Sequence, residues 1–245
     1  MKKLASKILI ILLIVFVSQL IPIGVMVSSA EPGTKEKSSD LEKIVFIHWK
    51  KNFTKPEKAK AKAPTCYSFL TPTKIKWVNL PVNYRINPNN PQGLSEEFIN
   101  GSISVSAETW DNATTKELMN NTYTVDYSAQ YGIQDYKNSI DFGNYPTSGV
   151  IAVTTVWYNT RTKTIVEFDI RFDTDFQWGN AEIDLTKMDL QNIAAHEFGH
   201  SVGLSDVYNS TCSTVTMYGY SREGEIQKRT LEQADITGLQ KLYGI

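Results

Sequence analysis

Asn192-Ile193-Ala194-Ala195-His196-Glu197-Phe198-Gly199-His200-Ser201-Val202-Gly203-Leu204-Ser205-Asp206 is the stretch on which the reading of this 245-residue chain turns. Four residues make slightly more than one helical turn, so in a helix over 189–202 the side chains of His196 and His200 leave the same face, close enough to hold one metal ion. Leu190, Ala194, Phe198 and Val202 fall on roughly the opposite side and seat that helix in a core. Glu197 lies at the edge of the ligand face, where its carboxylate reaches a water on the metal without binding the metal itself. Zinc suits the arrangement because it takes imidazole and carboxylate ligands without redox chemistry and, with three protein ligands, leaves a position for water. The metal lowers that water's pKa, Glu197 accepts its proton as general base, and a carbonyl can be attacked without a covalent intermediate. The bland alternative is a surface helix with two histidines four residues apart, and the residues downstream weigh against it.

A third ligand is needed, and the chain has only three histidines. The remaining one, His48, lies about 150 residues upstream in a different compositional zone and reads as an ordinary residue of an apolar patch. Gly203, three residues after His200, is free to adopt positive φ, end the helix and turn the chain back toward the metal. Asp206 follows three residues later, and a carboxylate oxygen is an adequate zinc ligand where histidine would also serve. Its plain alternative is a loop carboxylate capping a turn.

His196, Glu197, His200, Gly203 and Asp206 together resemble the signature of the metzincin metallopeptidases, HExxHxxGxxH or HExxHxxGxxD followed by a methionine turn. Met217, in Thr214-Val215-Thr216-Met217-Tyr218, matches that turn, and the Met217-Tyr218 pair is most similar to the matrixin branch. The resemblance implies an α+β catalytic domain with a twisted mixed β-sheet, an active-site helix and a C-terminal helix. It also implies one catalytic zinc and a peptide or protein substrate lying antiparallel to an edge strand, here 150–158. The implied function is a secreted zinc endopeptidase; the alternative is a non-catalytic zinc-containing surface or binding protein on the same scaffold, against which the intact Glu197 argues.

The sequence departs from the matrixin pattern in three respects. The third ligand is Asp206 where matrixins use histidine, and the further histidines of a structural zinc are missing, so one zinc is expected. Calcium is a family trait, and Asp169, Asp173 and Asp175 are hard oxygen donors in a similar place; solvated strand-end carboxylates are the alternative. Matrixins are often held latent by a prodomain cysteine, but Cys66 lacks that context. Cys66 and Cys212, the only two cysteines, read instead as a structural disulfide that fastens the start of the domain beside the zinc loop, with a zinc-blocking thiol as the other option.

Near the N-terminus, Lys2, Lys3 and Lys7, an apolar run over 8–17 and Ser28-Ser29-Ala30 read as a secretory signal over residues 1–30, or as an anchor if uncleaved. Residues 31–65, with nine lysines, read as a linker or short pro-segment, although the apolar patch at 44–49 raises the alternative of an inhibitory strand in the cleft. Residues 66–245 then form one metallopeptidase domain. Within it the pattern predicts strands over 80–86 and 122–127, a helix capped by Ser95, a hairpin of 150–158 with 164–172, and a last helix starting at Thr230 with Gln233 in capping-box position. A stretch from 128 to 148 has no clear pattern.

With 41% hydrophobic and 21% charged residues the chain is an ordinary folded protein. Its net charge of −1 offers no basic field for nucleic acid. The 1–30 segment carries three of the 25 basic residues and none of the 26 acidic ones, so its removal leaves a net charge of about −4. A monomer acting on peptide or protein outside the cytosol is the expectation, with membrane contact only through an uncleaved N-terminal segment.

Overall fold

Runs of β-branched and aromatic residues build a sheet, and segments with helical apolar spacing cover it. The structure is a computed structural model that describes residues 40–52 and 65–245. In chain order its elements are β1 (Leu41–Lys50), β2 (Ser68–Phe69), β3 (Tyr84–Ile86), α1 (Glu96–Asp111), β4 (Thr124–Val125), β5 (Asn138–Gly143), β6 (Val150–Asn159), β7 (Thr164–Asp173), β8 (Trp178–Gly179), β9 (Met188–Asp189), α2 (Leu190–Ser201), β10 (Leu204–Ser205), β11 (Tyr220–Ser221) and α3 (Gln233–Tyr243). The export segment read over 1–30 lies outside the described residues. Among the described residues no helix is long and apolar enough to cross a membrane.

Seven strands form one mixed sheet in the order β11-β1-β6-β7-β5-β3-β4. The expected hairpin is present as β6 and β7, paired antiparallel at its centre. β7, β5, β3 and β4 run parallel to one another. The chain is therefore an α+β domain with a mixed sheet, as expected.

Two sequence expectations are corrected here. Residues 41–50, in the zone read as a linker or short pro-segment with an inhibitory strand at 44–49 as the alternative, form β1, which pairs antiparallel with β6 from Leu41 opposite Asn159 to Trp49 opposite Val150. The lysine count of the zone masks a short alternation in which Phe46 and His48 turn inward while Val45 faces out. In consequence β6 is not an edge strand, and the folded part extends upstream of the boundary drawn at residue 66. The unpatterned stretch at 128–148 contains β5, whose Ile140 is an inner strand residue.

Other elements shift by a few residues. The strand expected over 80–86 is present as β3 over Tyr84–Ile86, and upstream of it Val82 makes an isolated bridge to Met119. The strand expected over 122–127 shrinks to β4. α1 starts where Ser95 predicts, with its Oγ accepting from Phe98 N at 3.2 Å and Ile99, Ile103, Ala107 and Trp110 buried. α3 begins at Gln233; Glu232 is its N-cap, and Asp235 rather than Gln233 completes the capping box.

The core lies between the sheet and the two helices α1 and α2. Phe198 on α2 meets Tyr84 and Phe168 edge-on. Trp110 Nε1 donates to Ala195 O at 2.7 Å, which ties α1 to α2. Trp77 Nε1 donates to Ser201 O at 2.8 Å and holds the other end of α2. The helix that carries the histidines is thus gripped along its length.

Candidate metal centre

Local chemistry sets both ends of α2. Asp189 is its N-cap, accepting from Asn192 N at 2.8 Å, and the same carboxylate receives Arg229 Nε and Nη2 at 2.9 and 2.6 Å. At the other end Gly203 adopts φ +110°, a conformation L side chains rarely take, and a Cβ there would stand 2.9 Å from Ile75 O. That turn is what sends Asp206 back toward the helix.

His196 Nδ1 lies 2.7 Å from Thr216 O and His200 Nδ1 lies 2.9 Å from Leu204 O. A carbonyl only accepts, so both Nδ1 atoms carry the proton and both Nε2 atoms are left with a bare lone pair. Asp206 Oδ1 stands 3.1 Å from His196 Nε2 and 3.5 Å from His200 Nε2. All three atoms are buried without a hydrogen-bond partner. Buried polar atoms are nearly always paired, so three orphans facing one point call for a missing common partner. Ligand bonds of about 2.0–2.1 Å in a tetrahedral site place neighbouring ligand atoms about 3.3 Å apart, and the observed separations bracket that spacing. The donor set of two imidazoles and one carboxylate fits zinc.

Burial alone would lower His200, but Asp206 facing it outweighs burial and raises the imidazole above its ordinary value. Burial lowers His196 to about 4, so its ring is neutral and free to coordinate. Burial alone would raise Asp206, but the facing His200 and His196 outweigh it and hold the carboxyl well below its ordinary range. The second oxygen of Asp206 accepts from Tyr208 Oη at 2.9 Å, which fixes the carboxylate's orientation.

Glu197 stands beside this group, fully buried. Its Oε2 accepts from Thr154 Oγ1 of β6 at 2.5 Å. Burial raises its carboxyl to about 7. A carboxylate poised near neutrality is suited to take and return a proton.

The methionine expected at the turn, Met217, is fully buried and its Cε would lie 3.0 Å from a Cβ added at Gly199. Tyr218 follows at the turn, partly buried. Asp235 of α3 accepts from Thr216 N at 2.9 Å and Met217 N at 3.2 Å, anchoring the turn that supplies the carbonyl to His196. Asp235 was not singled out from sequence; its position three residues after Glu232 is the only local signal. Cys66 and Cys212 form a disulfide, so Cys66 is not a thiol that blocks the metal.

Asp169, Asp173 and Asp175 are not gathered into a ligand group. Asp169 accepts from Gly132 N and Ser139 N at 2.7 and 2.9 Å, and Asp173 accepts from Tyr145 N and Asp175 N at 3.2 and 2.9 Å. Among the described residues, two groups have ligand atoms within 4.8 Å of one another, and neither contains these aspartates. One group is His196, His200 and Asp206; the other is His48, His196 and Glu197.

His48 is the correction that matters most. It is fully buried at the centre, with Nδ1 3.1 Å from Glu197 Oε1, Nε2 3.0 Å from Ser221 Oγ and its ring 3.9 Å from that of His196. Two residues earlier Phe46 stacks on His200 at 4.2 Å. A cleft strand at 44–49 is one sequence reading, but these ring contacts have no local signal, because strand pairing with β6 brings together residues more than a hundred positions apart.

Residues 76–244 match the family model described as Matrixin. The chain is similar to the hatching enzyme of Paracentrotus lividus, 29% identical over 184 residues that cover 74% of this chain and 28% of that protein. It is similar to the interstitial collagenase of Oryctolagus cuniculus, 30% identical over 182 residues, 71% of this chain and 34% of that one. The neutrophil collagenase of Homo sapiens is 28% identical over 177 residues, 72% of this chain and 35% of the other. The chain thus spans about a third of the length of the curated relatives it matches.

Proposed function

Because the chain belongs to the matrixin family, we propose that it is a zinc-dependent endopeptidase whose metal is held by His196 Nε2, His200 Nε2 and the carboxylate of Asp206, with Glu197 as general base. The observation that carries the reading is the convergence of three buried, unpartnered ligand atoms beside a carboxylate raised toward neutrality. When bound, zinc supplies Lewis-acid activation of a water and of the scissile carbonyl.

The chain's own residues supply the rest. Thr154 orients Glu197, which takes the attacking water's proton and returns it to the departing amine. The carbonyls of Thr216 and Leu204 fix the histidine tautomers. Met217, clamped by Asp235, closes the floor of the site. An exported protein fits this reading, since the 1–30 segment reads as a secretory signal and the Cys66–Cys212 bridge suits an oxidising compartment.

Elemental analysis and cleavage of an unstructured protein, with and without chelator, test the proposal. One zinc per chain is expected, with hydrolysis abolished by chelator and lowered about 10²- to 10⁴-fold by Glu197→Gln at unchanged zinc content. One zinc per chain with no hydrolysis under any condition would instead favour a non-catalytic matrixin scaffold.

A further inference from the structure

β6 is the strand that passes the metal centre, since Thr154 at its middle donates to Glu197. An extended peptide brought to that centre gains backbone hydrogen bonds by adding to the free edges around it, as peptides commonly do at exposed strands. Those edges are β6 on one side and β11 on the other, and β1 has taken both. It runs antiparallel to β6 over its whole length and parallel to β11 through Trp49 opposite Tyr220 and Lys50 opposite Ser221. This is the antiparallel course along β6 that a matrixin-like substrate is expected to follow.

The side chains of β1 also reach the chemistry. Phe46 covers His200, and His48 stands against His196 and Glu197. His48 thereby brings a ring nitrogen within 4.8 Å of ligand atoms of both His196 and the proposed base Glu197. Its pairing with Ser221 Oγ fixes the ring from the opposite wall.

The strand is held in a way that allows it to leave. Little of it is deeply buried beyond Phe46 and His48, and Val45 remains 42% exposed. Its charged contacts are peripheral: Lys50 pairs with Glu223 at 2.6 Å with both side chains about a third exposed, and Glu42 accepts from Tyr158 Oη. The disulfide begins downstream, at Cys66, so the crosslink secures the rest of the domain and leaves β1 outside its loop.

We propose that Leu41–Lys50 is an inhibitory strand bound in the chain's own substrate groove, with His48 as the plug, and that hydrolysis starts when this strand leaves. The inference rests on the peptidase reading above. The full zinc-loaded chain, with a site-specific protease sequence placed between Asn52 and Thr65, tests it. Hydrolysis is measured before the cut and after it, once mass spectrometry confirms that the fragment is gone. Rebinding of a fluorescent synthetic peptide of residues 40–51 is measured by anisotropy.

Release is expected to raise hydrolysis by at least about tenfold, and the peptide to rebind one to one and inhibit competitively; the His48→Ala peptide should bind at least about tenfold more weakly. In the uncut chain His48→Ala should raise hydrolysis in the same direction. Unchanged hydrolysis after release, in a preparation that Glu197→Gln silences, would overturn the strand's inhibitory role, as would failure of the peptide to rebind. Inactivity of cut and uncut forms alike would overturn the peptidase reading together with the claim that release starts hydrolysis, and peptide rebinding would then report groove occupancy separately.

Discussion

Gly199 and Met217 meet at the floor of the metal centre with no room between them. A Cβ at Gly199 would press into Met217 Sδ and stand 2.6 Å from Trp110 Cζ2 and 3.0 Å from Met217 Cε. Gly199 lies between His196 and His200, the proposed ligands, and Thr216, next to Met217, fixes His196. Overpacking of this kind costs about 1–3 kcal/mol, and Gly199→Ala is expected to lower urea-unfolding stability by that amount and to weaken zinc binding as well. Unchanged stability and zinc affinity would show that the contact is slack.

Tyr208 holds Asp206, the proposed carboxylate ligand. Its hydroxyl donates to the Asp206 oxygen that faces away from the histidines. Loss of such an outer partner commonly costs about 10- to 100-fold in metal affinity, and Tyr208→Phe should fall in that range, with Asp206→Ala losing more. Competition with a chromophoric chelator measures both. Equal affinities for wild type and Asp206→Ala would remove the aspartate from the ligand set.

The Cys66–Cys212 bridge closes a loop spanning 146 positions. Replacing both cysteines by serine is expected to cost about 2–5 kcal/mol of stability. Zinc content should stay at one per chain, because both sulfurs are spent in the bridge and neither belongs to the group of His196, His200 and Asp206. A loss of zinc in the folded variant would contradict that separation of roles.

Asp111, at the end of α1, makes stability depend on pH. Its Oδ1 accepts from Leu118 N and Met119 N at 2.9 and 3.2 Å, yet burial outweighs those bonds and raises its carboxyl from 3.8 to about 6. Between those values the folded chain keeps a proton that the unfolded chain has released, so stability falls as pH rises through that window and levels off above it. Asp111→Asn removes this dependence. Relative to wild type the variant should gain stability between about pH 4 and 6, read by urea unfolding at each pH. A wild-type-to-variant difference that stays constant across the window would refute the assignment.

The parts of this fold visible in the sequence are those set by short-range pattern. Ser95 marks the start of α1, the β-branched runs mark β6 and β7, and the spacing from His196 to Asp206 marks the candidate ligand group because one helix and one turn contain it. β5 escaped because Asn138-Ser139-Ile140-Asp141-Phe142-Gly143 mixes polar residues that serve partners elsewhere: Asn138 Oδ1 accepts from Phe168 N, and Asp141 pairs with Arg171. β1 shows in the sequence only as the apolar patch at 44–49, with a strand in the cleft as one reading, because lysines dominate its neighbourhood and its pairing with β6 spans more than a hundred residues. The position of His48 against Glu197 follows from that pairing alone, and no local pattern carries it.

The proposed metal centre places one zinc between His196, His200 and Asp206. An anomalous difference map at the zinc edge, from crystals of the chain loaded with one equivalent of zinc, tests it most directly. A single peak about 2.0–2.2 Å from His196 Nε2, His200 Nε2 and an Asp206 oxygen is expected. A peak placed elsewhere, or one that leaves Asp206 out of bonding range, would contradict the account.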